Sequence, residues 1–305
     1  MAIDLSGKVA IVTGAGGGLG REHALALAAH GARVVVNDLG GGVDGTGGSL
    51  SAAAKVVEEI KAKGGEAIAN SASVTDFDAI TDMVDHATGL WGGVDILVAN
   101  AGILRDKSFA KMEIDDFRAV FEVHVMGSVN CAKAVWQGMR ERNYGRIIFT
   151  TSSSGLYGNF GQANYGAAKM ALVGLMNTLA IEGEKYNIRV NCLAPSAATR
   201  MLEGLLPADQ LAALAPDLVS PAVIAMASDA APTKTTICAG AGSFEAAHIT
   251  LTQGLAPDDS NSPAENILAN LAELTGTDRQ QIPTRGWDQI AHELAKAGFK
   301  TAEGA

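Results

Sequence analysis

The chain has 305 residues, of which 48% are hydrophobic and 18% are charged, and its formal net charge is −10 at pH 7. This composition supports one large α/β domain and excludes a disordered polypeptide. The acidic balance argues against nucleic acid as a partner, because no excess of basic residues is present to neutralise phosphates. The three cysteines share no metal-ligand spacing, so we expect buried free thiols and no bound metal.

No addressing signal is visible at either end of the chain. The first residues lack the apolar core of a secretory signal, and no apolar run reaches membrane-spanning length. The last three residues, Glu303-Gly304-Ala305, differ from the peroxisomal address Ser-Lys-Leu. We therefore expect a cytoplasmic protein without a membrane span.

Short apolar runs alternate with longer amphipathic stretches along most of the chain. The runs predict strands that are buried on both faces, at Val9–Thr13, Arg33–Asn37, Ala67–Asn70, Asp95–Ala99, Arg146–Thr151 and Arg189–Leu193. The amphipathic stretches predict helices at Gly20–His30, Leu50–Lys63, Asp76–Leu90 and Asp116–Arg142. This βαβα order predicts an α/β fold with a Rossmann-type doubly wound parallel sheet, whose ligands bind at the carboxyl ends of the strands.

The composition changes between Pro257 and Pro263, where proline, aspartate, serine and asparagine accumulate. Two short helical patterns follow, at Ala264–Leu274 and Trp287–Ala297. We therefore predict a main domain over residues 1–255 and a C-terminal helical extension over residues 256–305.

A glycine cluster, Thr13-Gly14-Ala15-Gly16-Gly17-Gly18-Leu19-Gly20, joins the first predicted strand to the first predicted helix. Glycines at this junction allow a tight turn and let backbone N–H groups approach a pyrophosphate at the helix N-terminus. A glycine cluster alone can mark a plain turn, but its place after the first strand favours cofactor binding. We predict cofactor contacts from Gly14, Gly18, Leu19 and Gly20.

Asp38 ends the second predicted strand, where an acidic side chain accepts hydrogen bonds from the hydroxyls of the adenosine ribose. A 2′-phosphate at that place would be repelled by the carboxylate, and neither the glycine cluster nor Leu39 offers a cation. Asp38 therefore favours NAD over NADP. Asn100-Ala101-Gly102 follows the fourth strand and adds backbone and small side chains beside the cofactor.

Tyr165 and Lys169 stand four residues apart, and Ser152 precedes them just after the fifth predicted strand. Positions i and i+4 share one helix face, so the ammonium of Lys169 can lie near the phenol of Tyr165 and lower its pKa. Tyr165 can then exchange a proton with an alcohol or ketone oxygen, while Ser152 hydrogen-bonds the same oxygen. We predict these three residues as the catalytic set, with Tyr165 and Lys169 also contacting the cofactor.

Together these motifs resemble those of the short-chain dehydrogenase/reductase family, over Leu5 to about Gly242. Within the family, the sequence is most similar to the (3R)-hydroxyacyl-CoA dehydrogenase branch of β-oxidation. The resembling segments are Val34–Gly41, Ala101–Phe109 and Tyr157–Tyr165. The resemblance implies an NAD-dependent enzyme, and further cofactor contacts from Ser73, Val74, Ala197, Ala198 and Thr199.

Two positions depart from the family pattern. His124 stands where many members carry an asparagine that anchors a proton-relay water, and we expect a structural role for it rather than that of a base. Pro195-Ser196 replaces the usual Pro-Gly.

The sequence therefore predicts an oxidoreductase that interconverts a secondary alcohol and a ketone, with a (3R)-3-hydroxyacyl-CoA thioester as the favoured substrate. Arg105, Lys107 and Arg200 are candidate partners for its phosphates, or ordinary surface charges. A hydroxysteroid or sterol-side-chain dehydrogenase and a 3-oxoacyl-carrier-protein reductase remain alternatives, as does a non-catalytic nucleotide-binding protein. Asp38 and the long tail weigh against the reductase.

The helix predicted to begin at Tyr165 is apolar around almost its whole circumference, through Ala167 to Ile181. A helix with one solvent-facing side would be polar on that side. Because the sheet covers only one face, we expect a second copy on the other and predict a homodimer or homotetramer. The alternative is that the C-terminal tail folds over this face within one chain.

Overall fold

The computed structural model describes residues 2–41, 51–197, 207–256 and 262–299. The chain divides into two compact units, Met1–Ala246 and Ala247–Ala305. This division lies ahead of Leu255, where the sequence predicted the boundary.

The first unit alternates strands and helices in chain order. Its strands are β1 (Val9–Thr13), β2 (Arg33–Asn37), β3 (Ala67–Asn70), β4 (Ile96–Ala99), β5 (Gly145–Thr150), β6 (Ile188–Ser196), β7 (Thr236–Gly240) and β8 (Ser243–Ala247). Its helices are α1 (Gly18–Ala29), α2 (Ser51–Ala62), α3 (Phe77–Trp91), α4 (Ile114–Phe121), α5 (Gly127–Arg142), α6 (Ser153–Tyr157), α7 (Ala163–Gly183), α8 (Ala208–Ala213) and α9 (Ser220–Ala227).

In the described part of the chain, the eight strands form one sheet in the order β3-β2-β1-β4-β5-β6-β7-β8. All neighbours from β3 to β7 pair in parallel. The strand order reverses between β1 and β4, which is where α/β sheets of this kind bind ligands. The doubly wound parallel sheet predicted from the sequence is confirmed.

Two apolar layers cover the sheet, one on each face. One layer lies between the sheet and α1, α2 and α9, and it includes Val12, Leu27 and Val223. The other lies between the sheet and α3, α5 and α7, and it includes Ile147. Every residue of β1 and β5 is buried, as their unbroken apolar runs predicted. The two layers bury the sheet on both faces.

The long helix predicted from Asp116 to Arg142 is interrupted. A π-helical turn, Glu122–Met126, separates α4 from α5. Such turns are rare and frequently mark functional sites. The side chain of His124, inside this turn, packs against Tyr165 of α7.

One stretch in the described residues, Asp209–Ala227, has the length and apolar composition of a membrane span. In the structure it is broken into α8, a 3-10 turn and α9, and its apolar side chains Val219, Val223 and Met226 are buried in the core. This burial accounts for its apolar composition within the globular unit.

All three cysteines are free thiols: Cys131 and Cys192 are buried, and Cys238 is half-buried. The second unit contains the short antiparallel pair β9 (Leu251–Thr252) and β10 (Gln280–Gln281). Its helices are α10 (Pro263–Ala269), α11 (Leu271–Leu274) and α12 (Gly286–Lys296). The single helix predicted at Ala264–Leu274 is thus two short ones that meet at Asn270.

Candidate active site

The turns after β1 and β4 are cross-linked at the carboxyl edge of the sheet. The hydroxyl of Thr13 accepts the backbone N–H groups of Asn100 (3.0 Å) and Ala101 (3.1 Å). The Asn100 amide donates in return to the carbonyls of Thr13 (3.0 Å) and Gly14 (3.2 Å). Asn100 therefore braces the glycine loop, which is the physical role of the Asn-Ala-Gly motif here.

The glycine loop lets α1 approach β1 closely. A Cβ atom on Gly20 would lie 2.2 Å from the carbonyl oxygen of Gly14, so no side chain fits at this position. Gly18 and Leu19 form the first turn of α1, and Leu19 packs against the core. The N-cap, Gly17, has no side chain, and no acidic residue lies in the first turn. The helix N-terminus is thus open to an anion such as a pyrophosphate.

Asp38 lies just beyond β2, at the same edge of the sheet. Its carboxylate accepts the backbone N–H groups of Gly16 at 2.7 Å and Gly40 at 2.6 Å. A carboxylate has acceptor sites for about four hydrogen bonds, so two remain for ribose hydroxyls. This arrangement fits the adenosine end of a dinucleotide.

Ser73 and Val74 follow β3. The Ser73 hydroxyl hydrogen-bonds that of Thr75 at 2.8 Å, and the Val74 carbonyl accepts the Asn130 amide at 2.9 Å. Val74 is buried and packs closely on Gly127 of α5. The turn is therefore fixed in place beside the Asp38 end of the site.

Ser152 and Tyr165 meet beyond β5. Ser152 is the N-cap of α6, and its hydroxyl oxygen accepts the Ser154 N–H at 3.2 Å. The phenol of Tyr165, in the first turn of α7, lies close enough for the Ser152 hydroxyl to act on its pKa. The two hydroxyls predicted to act on one substrate oxygen are thus adjacent.

Lys169 lies one turn further along α7 and is buried. Its ammonium donates to the carbonyl of Thr150 at 2.6 Å and lies 5.5 Å from the centre of the Tyr165 ring. Burial lowers the pKa of Lys169 from 10.5 to about 7. The Thr151 hydroxyl donates to the Lys169 carbonyl at 2.7 Å, which ties α7 to the end of β5.

The acidity of Tyr165 differs from our expectation. Burial raises the pKa of the Tyr165 phenol above 10, the hydrogen bond from Ser152 opposes this shift, and the charge of Asp106 adds to it. The charge of Lys169, which we expected to lower this pKa, is not among the causes of the shift. The sequence shows that Tyr165 and Lys169 share a helix face, but it does not show how deeply they are buried.

His124 lies against the same pair from the π-helical turn. Its Nε2 is 2.8 Å from the carbonyl oxygen and 3.1 Å from the amide nitrogen of Ile103, and its ring packs edge-on against Tyr165, 5.3 Å between centres. Burial, and then the charge of Lys169, hold the pKa of His124 well below 6.5. A Cβ on Gly102 would lie 2.2 Å from the His124 ring, so a residue with a side chain does not fit at position 102. These contacts support a structural role for His124.

The candidate cations near the cleft already have partners. Arg105 and Lys107 both form ion pairs with Asp116, each at 3.1 Å. Ala197 is buried at the end of β6, whereas Ala198, Thr199 and Arg200 lie outside the described residues.

Two residues that the sequence did not single out prove important for this geometry. Thr13 braces the glycine loop, and the carbonyl of Thr150 holds Lys169. The role of Thr13 could have been inferred from the sequence, because Thr13 directly precedes the glycine cluster. The role of the Thr150 carbonyl could not, because every residue has a backbone carbonyl.

The edge of the sheet from β3 to β6 thus presents two ends of one site. One end offers an open helix N-terminus and a fixed carboxylate, and the other offers two adjacent hydroxyls beside a buried lysine. This donor set fits a nicotinamide dinucleotide with an alcohol or ketone beside its reactive ring. Among the described residues, no group of three or more His, Cys, Asp or Glu side chains is placed to hold a metal ion.

The chain is similar to known proteins over most of its length. The chain is 47% identical over 305 residues to the peroxisomal multifunctional enzyme A of Dictyostelium discoideum, covering 100% of this chain and 68% of that protein. It resembles the structure of full-length peroxisomal multifunctional enzyme type 2 from Drosophila melanogaster with a TM-score of 0.80 and 35% identity, over 97% of this chain and 50% of that one. It therefore spans half the length of that enzyme.

A second solved structure is a 7α-hydroxysteroid dehydrogenase in complex with NADH and 7-oxo glycochenodeoxycholic acid. It matches with a TM-score of 0.70 and 31% identity, over 78% of this chain and 95% of that one. Both multifunctional enzymes are named as peroxisomal. These names contradict our prediction of a cytoplasmic location, which rested on the absence of a recognised address in the sequence. The family described as short chain dehydrogenase matches residues 8–209, and the chain belongs to this family of nicotinamide-dependent oxidoreductases.

Proposed function

We propose that the chain is an NAD-dependent dehydrogenase that interconverts a (3R)-3-hydroxyacyl-CoA and its 3-oxoacyl-CoA. The observation that carries the proposal is the meeting of Ser152, Tyr165 and Lys169 at one end of the edge that holds Asp38 at the other. The likeness to multifunctional enzymes over nearly the whole chain supports the acyl-CoA substrate.

The proton chemistry belongs to the two adjacent hydroxyls. In oxidation, the Tyr165 oxygen takes the proton of the substrate hydroxyl as hydride leaves the same carbon, and in reduction it returns that proton to the carbonyl oxygen. Ser152 donates a hydrogen bond to the substrate oxygen and stabilises the charge that develops there. Bound NAD⁺ supplies the hydride acceptor and a positive charge that favours the tyrosinate.

Lys169 supports the same proton transfer. A pKa of about 7 allows its side chain to bind or release a proton near neutral pH. Protonated Lys169 stabilises the tyrosinate. The hydrogen bond from its ammonium to the Thr150 carbonyl keeps the ammonium in position while Tyr165 gains or loses its proton.

Asp38 supports NAD rather than NADP as the cofactor. Its carboxylate is held by two backbone N–H groups and faces no side-chain cation within hydrogen-bond distance among the described residues. Ribose hydroxyls can donate to this group, whereas a 2′-phosphate would be repelled by it.

A hydroxysteroid is the second candidate substrate, because one similar structure is a 7α-hydroxysteroid dehydrogenase. The two are separated by matched kinetics on 3-hydroxyacyl-CoA thioesters, hydroxysteroids and a 3-hydroxyacyl-carrier-protein, each with NAD⁺ and NADP⁺. We expect the highest kcat/KM with an acyl-CoA and NAD⁺. Turnover of hydroxysteroids but of no acyl-CoA would contradict the proposal.

We also propose that the chain assembles as a homodimer or a dimer of dimers through α7. The exposed side of α7 carries small or apolar residues at helical spacing, including Ala167, Met170, Gly174 and Ile181. Such a stripe permits close packing of a second helix, and exposed apolar patches of this kind mark interfaces.

The Gly174→Glu variant tests this assembly, because open space surrounds Gly174 and its Cβ would meet no atom within 4 Å. A buried charge at a helix interface opposes association, so we expect a smaller species by sedimentation. Gly89→Glu on α3 is the matched control, since Gly89 is equally open. A wild-type monomer, or equal mass for both variants and wild type, would contradict the α7 interface.

A further inference from the structure

The carboxylate of Asp38 is fixed by the loops on either side of it. Its Oδ2 accepts the Gly16 N–H at 2.7 Å, and its Oδ1 accepts the Gly40 N–H at 2.6 Å. The backbone N–H of Asp38 donates to the Asn70 carbonyl at 3.0 Å, which holds the residue against β3. Both carboxylate oxygens and the backbone are thus engaged, and the side chain cannot turn without breaking a charge-assisted hydrogen bond.

Gly16 is the donor that has no room for a side chain. A Cβ on Gly16 would lie 2.8 Å from both Cγ and Oδ2 of Asp38, and 2.7 Å from the Cβ of Ala52 on α2. Contacts under 3.0 Å require one of the partners to move. Ala52 has no flexible side chain, and Asp38 is held by Gly40 on its other side. A methyl group at this position therefore displaces the Asp38 carboxylate or the loop that binds it.

We propose that Gly16 is a positioning residue for cofactor selectivity. It fixes Asp38 with its N–H, and the absence of its side chain leaves the carboxylate in place. The inference rests on the proposed preference for NAD and concerns how that preference is enforced. A carboxylate free to change rotamer would swing away from a 2′-phosphate and admit NADP, whereas the fixed one keeps its negative charge where the phosphate would lie.

The test is direct binding of NADH and NADPH to the whole chain. Fluorescence titration measures both dissociation constants, so no turnover is needed. For Gly16→Ala we expect the ratio of the two dissociation constants to fall by about tenfold, the effect of losing one hydrogen bond to a charged group. The matched control is Gly89→Ala on α3, outside the site. A Cβ on Gly89 would meet no atom within 4 Å, so the ratio should stay at its wild-type value.

A double-mutant cycle shows whether the effect runs through Asp38. Asp38→Ala alone should lower the selectivity ratio at least as far as Gly16→Ala. Adding Gly16→Ala to Asp38→Ala should leave the ratio unchanged, because no carboxylate remains to be displaced. An equal further change in that background would overturn the inference, since Gly16 would then act independently of Asp38.

A further variant separates displacement of Asp38 from crowding against α2. In Gly16→Ala/Ala52→Gly, the contact with Ala52 is removed while that with Asp38 remains, so the loss of selectivity should persist even if Gly16→Ala alone folds poorly. Full recovery of selectivity in this variant, or an unchanged ratio in a folded Gly16→Ala, would overturn the inference. A wild-type protein that binds NADPH as well as NADH would instead contradict the proposed preference for NAD itself.

Discussion

The two ends of the site are held in place by different kinds of groups. At the cofactor end, backbone groups do most of the holding: Asp38 is bound by two backbone N–H groups, and Gly20 allows α1 to approach β1. At the catalytic end, polar side chains do this work inside the protein, where Ser152, Lys169 and His124 are all buried.

The difference shows where each end is vulnerable. The cofactor end depends on space, because a single Cβ at Gly16 or Gly20 would collide with its neighbours, whereas its carboxylate, Asp38, is only half-buried. The catalytic end depends on electrostatics, because burial lowers the pKa of Lys169 and of His124 and raises that of Tyr165. Substitutions at the two ends should therefore affect different measurements.

The largest effect is expected at the catalytic end. Tyr165→Phe removes the hydroxyl that exchanges the substrate proton, and we expect kcat to fall by about a hundredfold or more, as for loss of a general acid–base. Binding of NADH should be retained, because the glycine loop and Asp38 are unchanged. Steady-state kinetics and NADH titration measure the two properties separately.

Tyr186→Phe is the control for this substitution. Its hydroxyl accepts a hydrogen bond from Arg140 at 2.6 Å, just beyond the far end of α7, so kcat should remain close to wild type. A Tyr165→Phe enzyme with near-normal kcat would exclude Tyr165 from proton transfer. The largest effect of substitution would then not lie at the catalytic end.

The next largest effect is expected on the pH dependence of the free energy of unfolding, and its cause is the lowered pKa of Lys169. Its pKa is about 7 in the folded chain and 10.5 in the unfolded chain, so between these values the unfolded state binds more protons and the free energy of unfolding rises with pH. From about pH 7 to about pH 9 the unliganded wild type should gain about 2 kcal/mol more than Lys169→Met. Urea unfolding at several pH values measures this gain. Parallel curves for the two proteins would mean that the pKa of Lys169 is not lowered in the fold.

A smaller effect is expected at the cofactor end. Asp38→Ala with Leu39→Arg removes the carboxylate that repels a 2′-phosphate and adds a cation, and Leu39 is exposed enough to be replaced by arginine. The preference for NAD⁺ over NADP⁺ in kcat/KM should fall by about tenfold, with kcat for NAD⁺ changing less. A wild type that already favours NADP⁺ would show that Asp38 does not select the cofactor.

The first six strands could be predicted closely from their apolar runs, and β1, β2 and β3 begin and end at the predicted residues, whereas β7 was not predicted. The edge strand β8 could not, because four of its five residues are exposed and it has no buried face to produce an alternating pattern. The π-helical turn was also missed. The helical pattern continues through it, and the contact of His124 with Ile103 joins residues far apart in the sequence.

The identities of the site residues could be predicted because the chemistry restricts residue type at Ser152, Tyr165, Lys169 and Asp38. Their environments could not. Neither the burial that alters the pKa of Lys169 nor the fixing of Asp38 by Gly16 follows from local spacing, since both depend on tertiary packing. Motifs thus indicate which groups react, while their acidity and orientation are set by the fold.

In the proposed reaction, hydride passes from the hydroxyl-bearing carbon of a 3-hydroxyacyl thioester to NAD⁺. Labelling tests this transfer most directly, with a (3R)-3-hydroxyacyl-CoA that carries deuterium on C3 and mass spectrometry of both products. We expect one deuterium in each NADH formed and an equal amount of unlabelled 3-oxoacyl-CoA. NADH without deuterium, or no NADH from the acyl-CoA under conditions in which a hydroxysteroid is oxidised, would contradict it.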